Sequence, residues 1–202
     1  LQLYDRQVWG VAKAYTQDQI GAVSLLARLE LAGVDVGDRW QDVADHLLSR
    51  AADQVLPFLD LQYLYGLARA GRPQAETLLR NIEAHGLRQG GATNACNTQA
   101  MQVWRDVATP AAYGLMAHAQ GQHARAVEGL GLALPRLLQI GGSHAQRDLF
   151  EQIHFDAMVH CGQWGAAQQM VQQRCNNQPQ SRRLQQQARR IYSALGIDIA
   201  AA

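Results

Sequence analysis

Along almost the whole chain, apolar residues recur at intervals of three and four, the spacing that gathers them on one side of an α-helix. Ile20, Val23, Leu26, Ala27 and Leu31 form one such stripe, and Trp40, Val43, Ala44, Leu47 and Leu48 form another. No run of four to eight residues alternates cleanly enough for a half-buried strand, and Thr and Ile are sparse beside Ala, Leu, Gln and Arg. The pattern predicts an all-α fold, with helices over 2–15, 17–32, 39–53, 57–70, 73–85, 95–120, 122–140, 144–161, 163–176 and 181–195. Links this short require sequential helices to run antiparallel.

Start and stop residues agree with these segments. Gly33, Gly71, Gly121 and Gly162 each follow a helix, and Pro73 suits a first helical position, where its missing N–H has no partner to lose. Asp38 with Gln41, and Ser143 with Gln146, have the spacing of a capping box. Pro110 cannot donate to a helical ladder, so the helix must bend or restart just after Arg105-Asp106. The Gly-rich stretch from Gln89 to Asn94 reads as a loop, and a sub-boundary of the single domain 1–202 is expected near 88–94.

A repeat is visible in places. With Gly121 as the turn between two helices, Pro110, Tyr113, Gly114, Ala117, Ala126 and Ala133 fall where tetratricopeptide units place small or aromatic residues at helix contacts. With Gly162 as the turn, Trp164, Ala167 and Pro179 are equivalent, but Phe155 occupies a place normally given to a small residue. The turn glycines lie farther apart than the roughly 34 residues of a regular unit. The expectation is therefore an irregular tetratricopeptide-like hairpin array, an α-solenoid.

Composition narrows the function classes. Hydrophobic residues make up 48% of the 202, enough for a packed core, so disorder is excluded. Eighteen Lys and Arg against seventeen Asp and Glu leave a net charge of +1, which argues against a nucleic-acid partner. No apolar run reaches the roughly 20 residues of a membrane span, and the opening residues Leu1 to Arg6 do not read as a basic region followed by an apolar stretch. Cys96, Cys161 and Cys175 have no metal-binding or paired spacing and read as free thiols, so a cytoplasmic location is expected. The opening residues begin on what reads as a helix face without an initiator Met, and the chain is expected to be a fragment.

Candidate chemistry concentrates in the string Gly141-Gly142-Ser143-His144-Ala145-Gln146-Arg147-Asp148. The glycines can end one helix, and Ser143 with Gln146 can cap the next. His144, Arg147 and Asp148 are not needed for that. Asp148 near a helix N-terminus favours the dipole, and Arg147 is placed to pair with Glu151. Alternatively, a helix N-terminus flanked by His and Arg is a receptor for a small anionic ligand. Asp38, Arg39, Asp60 and Arg105 are further members of a polar layer that such a pocket would need. From Val159 to Ile197 there is no acidic residue, while Arg174, Arg182, Arg183, Arg189 and Arg190 are basic, a solvated face or an edge for an anionic partner. No hydrolase, metalloprotease, P-loop or dinucleotide motif is present, and no carboxylate is seen joining two of His118, His123, His154 and His160. Neither a catalytic residue, a metal nor a cofactor is assigned.

The strings G-V-D-V-G-D-R-W-Q-D-V at 33–43, L-P-F-L-D at 56–60, R-D-V at 105–107 with Pro110, and I-G-G-S-H-A-Q-R-D at 140–148 resemble, in order and interval, the tetratricopeptide repeat protein 38 family. The resemblance runs over nearly the whole chain and implies the C-terminal half of a longer helical-repeat protein without an established activity. Family members often carry His two positions after the Asp of the F-x-D string; here that place is Gln62. The leading expectation is a non-catalytic scaffold that binds a protein or peptide in a concave groove; the alternative is a ligand or enzymatic pocket around the Gly-Gly-Ser block.

Overall fold

The computed structural model describes residues 1–88 and 95–197. Among them are ten α-helices and no strand: α1 (Thr16–Leu31), α2 (Arg39–Leu47), α3 (Pro57–Arg69), α4 (Gln74–Leu87), α5 (Ala95–Val103), α6 (Thr109–Ala119), α7 (His123–Ala133), α8 (His144–His160), α9 (Trp164–Asn177) and α10 (Arg182–Ala194). The all-α expectation holds. The loop expected at 89–94, and most of the sub-boundary at 88–94, lie outside the described residues. Apolar residues on both sides of it, Ile82 and Trp104 among them, share one buried cluster.

Four expected elements differ; the 39–53 segment is an α-helix only to Leu47 and continues as a 3₁₀ stretch over Leu48–Ala52. The helix expected over 2–15 is confined to residues 2–8, widened over Tyr4–Val8, and irregular backbone follows. Its closing bond runs from Trp9 N–H to the Tyr4 carbonyl, which puts two aromatic residues five apart on the same side, where both are buried. The 95–120 segment is interrupted at Trp104–Ala108 by another wide turn just ahead of Pro110, as the missing N–H demands. The 122–140 segment tightens into a 3₁₀ stretch at Leu134–Ile140, which contains Pro135. The capping box expected at Asp38 is also absent: the Asp38 side chain caps nothing, and Gln41 donates instead to the Ala70 carbonyl at 3.0 Å.

Sequential helices pack as hairpins: α1 on α2, α3 on α4, α6 on α7, α8 on α9 and α9 on α10. Across the hairpins, α3 touches α1, α2, α4 and α6, while α1 also packs on α8. Helix α3 is accordingly buried over most of its length. In the α6–α7 hairpin the two helices cross closely. A Cβ on Gly129 would lie 2.7 Å from the Gly114 nitrogen and 2.8 Å from the Pro110 oxygen, so only hydrogen fits there. At the turn, Gly121 takes φ +72, a left-handed conformation that closes α6 by a bond from the Gln122 N–H to the Ala117 carbonyl.

Gly129→Ala is expected to destabilise the protein by about 1–3 kcal/mol through forced separation of α6 and α7. Gly21→Ala, with nothing within 4 Å of the added carbon, should stabilise α1 by roughly 0.5–1 kcal/mol. Urea denaturation of both variants checks the pair; equal midpoints would rule out the close crossing.

Candidate functional site

The 141–148 block sits at a junction between the 3₁₀ stretch and α8. Gly141 and Gly142 have φ of +90 and +74, and a Cβ on Gly142 would come 2.9 Å from the Phe58 ring. Ser143 Oγ accepts from the Gln146 N–H, and Gln146 Oε1 accepts from the Ser143 N–H at 2.7 Å, completing the expected capping box. His144 is exposed. Arg147 does not pair with Glu151; it donates to the Gly141 carbonyl at 3.1 Å and to the Gly142 carbonyl, because the two left-handed glycines turn these oxygens toward it.

Asp148 is the hub of this region. Its carboxylate accepts from Arg28 of α1 at 3.1 Å, from Arg174 of α9 and from Gln152, whose Oε1 in turn accepts from Arg183 of α10 at 2.6 Å. Arg28 also donates to the Ala145 carbonyl at 2.7 Å. Burial pushes the Asp148 carboxyl up, but Arg174, Gln152 and Arg28 outweigh it and hold the group below its ordinary value. This network uses the charges internally and ties α1, α9 and α10 to the start of α8.

The remaining candidates separate. Arg39 pairs with Asp5 at 2.8 Å, Asp38 is exposed, and Arg105 pairs with Asp106 at 2.8 Å on a different face. The F-x-D string does meet the Gly-Gly-Ser block: Phe58, Gln62, Arg28 and Gln146 line one small cavity of about 290 Å³. Asp60 points away from that cavity's lining into the core. It is wholly buried, and neither carboxyl oxygen has a hydrogen-bond partner among the described residues. Burial, with Asp53 nearby, pushes it up to about 7.

Two other features were not assembled by the sequence reading, although it named some of their residues. An open groove of about 900 Å³ lies between α4, α6 and α7. Tyr113 and Leu132 are exposed along it, 45% and 66% accessible, with Arg105, Arg125, Glu76 and Glu128 around them. The second feature is a histidine cluster where the last turns of α1, α3, α6 and α8 converge on the start of α7, around a cavity of about 400 Å³. His118 Nε2 lies 3.0 Å from Asp156 Oδ2 and His160 Nδ1 lies 3.2 Å from the same oxygen. The sequence reading that no carboxylate joins two of the histidines is therefore corrected: Asp156 joins His118 and His160. A signal existed, since Asp156 and His160 are one helical turn apart and His118 and His123 flank the Gly121 turn. No family model matches the chain, and no solved structure matches it.

Three variants test these assignments. Asp148→Ala should cost about 1–3 kcal/mol, since it strands Arg28 and Arg174 in partly buried positions, whereas His144→Ala should leave the melting temperature unchanged. For Asp60 the folded protein keeps a proton up to about pH 7 that the unfolded chain releases near its ordinary 3.8. Stability therefore falls as pH rises through that window and is level above it. Asp60→Asn should be neutral at pH 4 and stabilising at pH 8, by up to roughly 4 kcal/mol, and urea titrations at the two pH values measure it.

Proposed function

We propose that the chain is a non-catalytic helical-hairpin module that binds an extended segment of a partner protein in the groove between α4, α6 and α7. One observation carries the reading: a groove of about 900 Å³ presents exposed Tyr113 and Leu132 beside charges of both signs. Exposed aromatic and aliphatic anchors inside a charged rim are the features of a peptide-binding surface. The partner segment is one with an apolar side chain to cover Tyr113 and Leu132, flanked by groups that pair with Arg105 or Arg125 on one side and Glu76 or Glu128 on the other. Membership of the tetratricopeptide repeat protein 38 family, and an irregular tetratricopeptide-like stacking of the hairpins, belong to the same proposal. Packing of each hairpin on the next supports it, as does the Gly121 turn with Gly114, Ala117 and Ala126 at the α6–α7 contact. The pocket alternative around residues 141–148 is less favoured, because Arg147 and Asp148 are both occupied by intramolecular partners.

Selection of a displayed random-peptide library on the full chain tests the reading. Enriched peptides should share an apolar anchor, and Tyr113→Ser combined with Leu132→Ser should weaken them by at least about tenfold, the size of effect expected for buried anchors, without lowering the melting temperature. Failure to enrich any peptide, or binding indifferent to the double variant, would overturn it.

A further inference from the structure

We propose that His118, His123 and Asp156 form a binding site for a divalent transition-metal ion of the zinc class. Each of the three offers one ligand atom, and these atoms all lie within 4.8 Å of one another. Nitrogen and oxygen donors around a zinc ion, at bonds of about 2.0–2.2 Å, stand roughly 3.3 Å apart, so side-chain adjustments of about an ångström or two close the set. Two imidazoles and a carboxylate are donors that suit zinc and its neighbours in the first transition row, and they leave coordination positions open toward the cavity.

Three features favour a cation here. First, the last turns of α1, α3, α6 and α8 meet at this cavity, each presenting the negative end of a helix dipole, against the single positive end of α7. Second, His123 Nδ1 is buried without a hydrogen-bond partner among the described residues, a polar atom that its surroundings leave unused. Third, supporting contacts are in place. Tyr65 Oη lies 3.0 Å from His118 Nδ1 in a buried pair. It can therefore accept the Nδ1–H and leave Nε2 for the ion. His160 Nδ1 lies 3.2 Å from Asp156 Oδ2, and its ring stacks on His123 at 4.4 Å. The Arg69 cation on the rim is paired with Glu30 at 2.7 Å.

Without metal, the His118–Asp156 contact is a hydrogen bond from Nε2–H to the carboxylate. Binding requires that proton to leave Nε2 and the ring to carry its hydrogen on Nδ1, facing Tyr65. The change of tautomer distinguishes a metal site from a hydrogen-bonded node and from loose surface association.

The test is titration of the chelator-stripped full chain with Zn²⁺ against a chromophoric competitor, with Co²⁺ as a spectroscopic substitute. One equivalent should bind, raise the melting temperature and, as Co²⁺, give the visible band of a four- or five-coordinate ion. His123→Gln and Asp156→Asn should each weaken binding by at least about tenfold, while His144→Ala should not. Absence of a stoichiometric site, or full affinity in both variants, would overturn the proposal. Should a variant fail to fold, imidazole ¹⁵N shifts of the unaltered protein decide: metal-dependent conversion of His118 to the Nδ1–H form supports the site, and shifts unchanged by Zn²⁺ refute it.

Discussion

A helix surrounded on nearly every side has nowhere to put a polar side chain except into a specific partner. Helix α3 is in that position, enclosed by α1, α2, α4 and α6. Its stripe of Phe58, Leu61, Leu64 and Leu67 supplies the apolar contacts that these neighbours share. Its polar members set the character of the interior. Tyr65 finds His118. Asp60 and Gln62 find no hydrogen-bond partner among the described residues, and desolvation leaves Asp60 neutral or costly according to pH. One end of this helix thus carries unbalanced polarity, and the other end feeds the histidine cluster.

Much of the architecture was readable from periodicity alone, because stripes such as Ile20, Val23, Leu26 and Ala27 can be buried by a helix and by little else. The restart before Pro110 and the Ser143 capping box were readable for a similar reason: both depend on bonds made within a few residues. The failures are tertiary. Tyr4 and Trp9 look like members of a regular helix until the wide turn brings them together, with the Trp9 indole donating to Asp42 at 2.6 Å. Gln41 has the right spacing to cap α2 but reaches a carbonyl 29 residues away. Arg147 has an acid one turn along, yet the carbonyls exposed by two left-handed glycines are nearer.

The polar residues show the same division. The 141–148 string stands out in the sequence, and its junction role follows from local rules, but its charged members serve mainly to join helices. The histidines are inconspicuous in sequence because they come from two hairpins, His118 and His123 at one turn and Asp156 and His160 at the end of the next long helix. What unites them is the convergence of four helix ends, which no local spacing encodes. The groove beside Tyr113 is similar: its two sides come from helices separated by the 89–94 segment.

The bond from Arg28 to Asp148 spans 120 residues of chain. An open stack of hairpins can lose its outermost unit and keep the rest, since each unit leans only on its neighbours. Here the first long helix leans on the eighth, so the chain is drawn into a closed circuit. Trimming the leading hairpin would bare the flank of α8 as well as that of α3. The described residues should accordingly melt as one cooperative block, folding slowly for a helical protein because α1 and α8, distant in sequence, must find each other before either is secure.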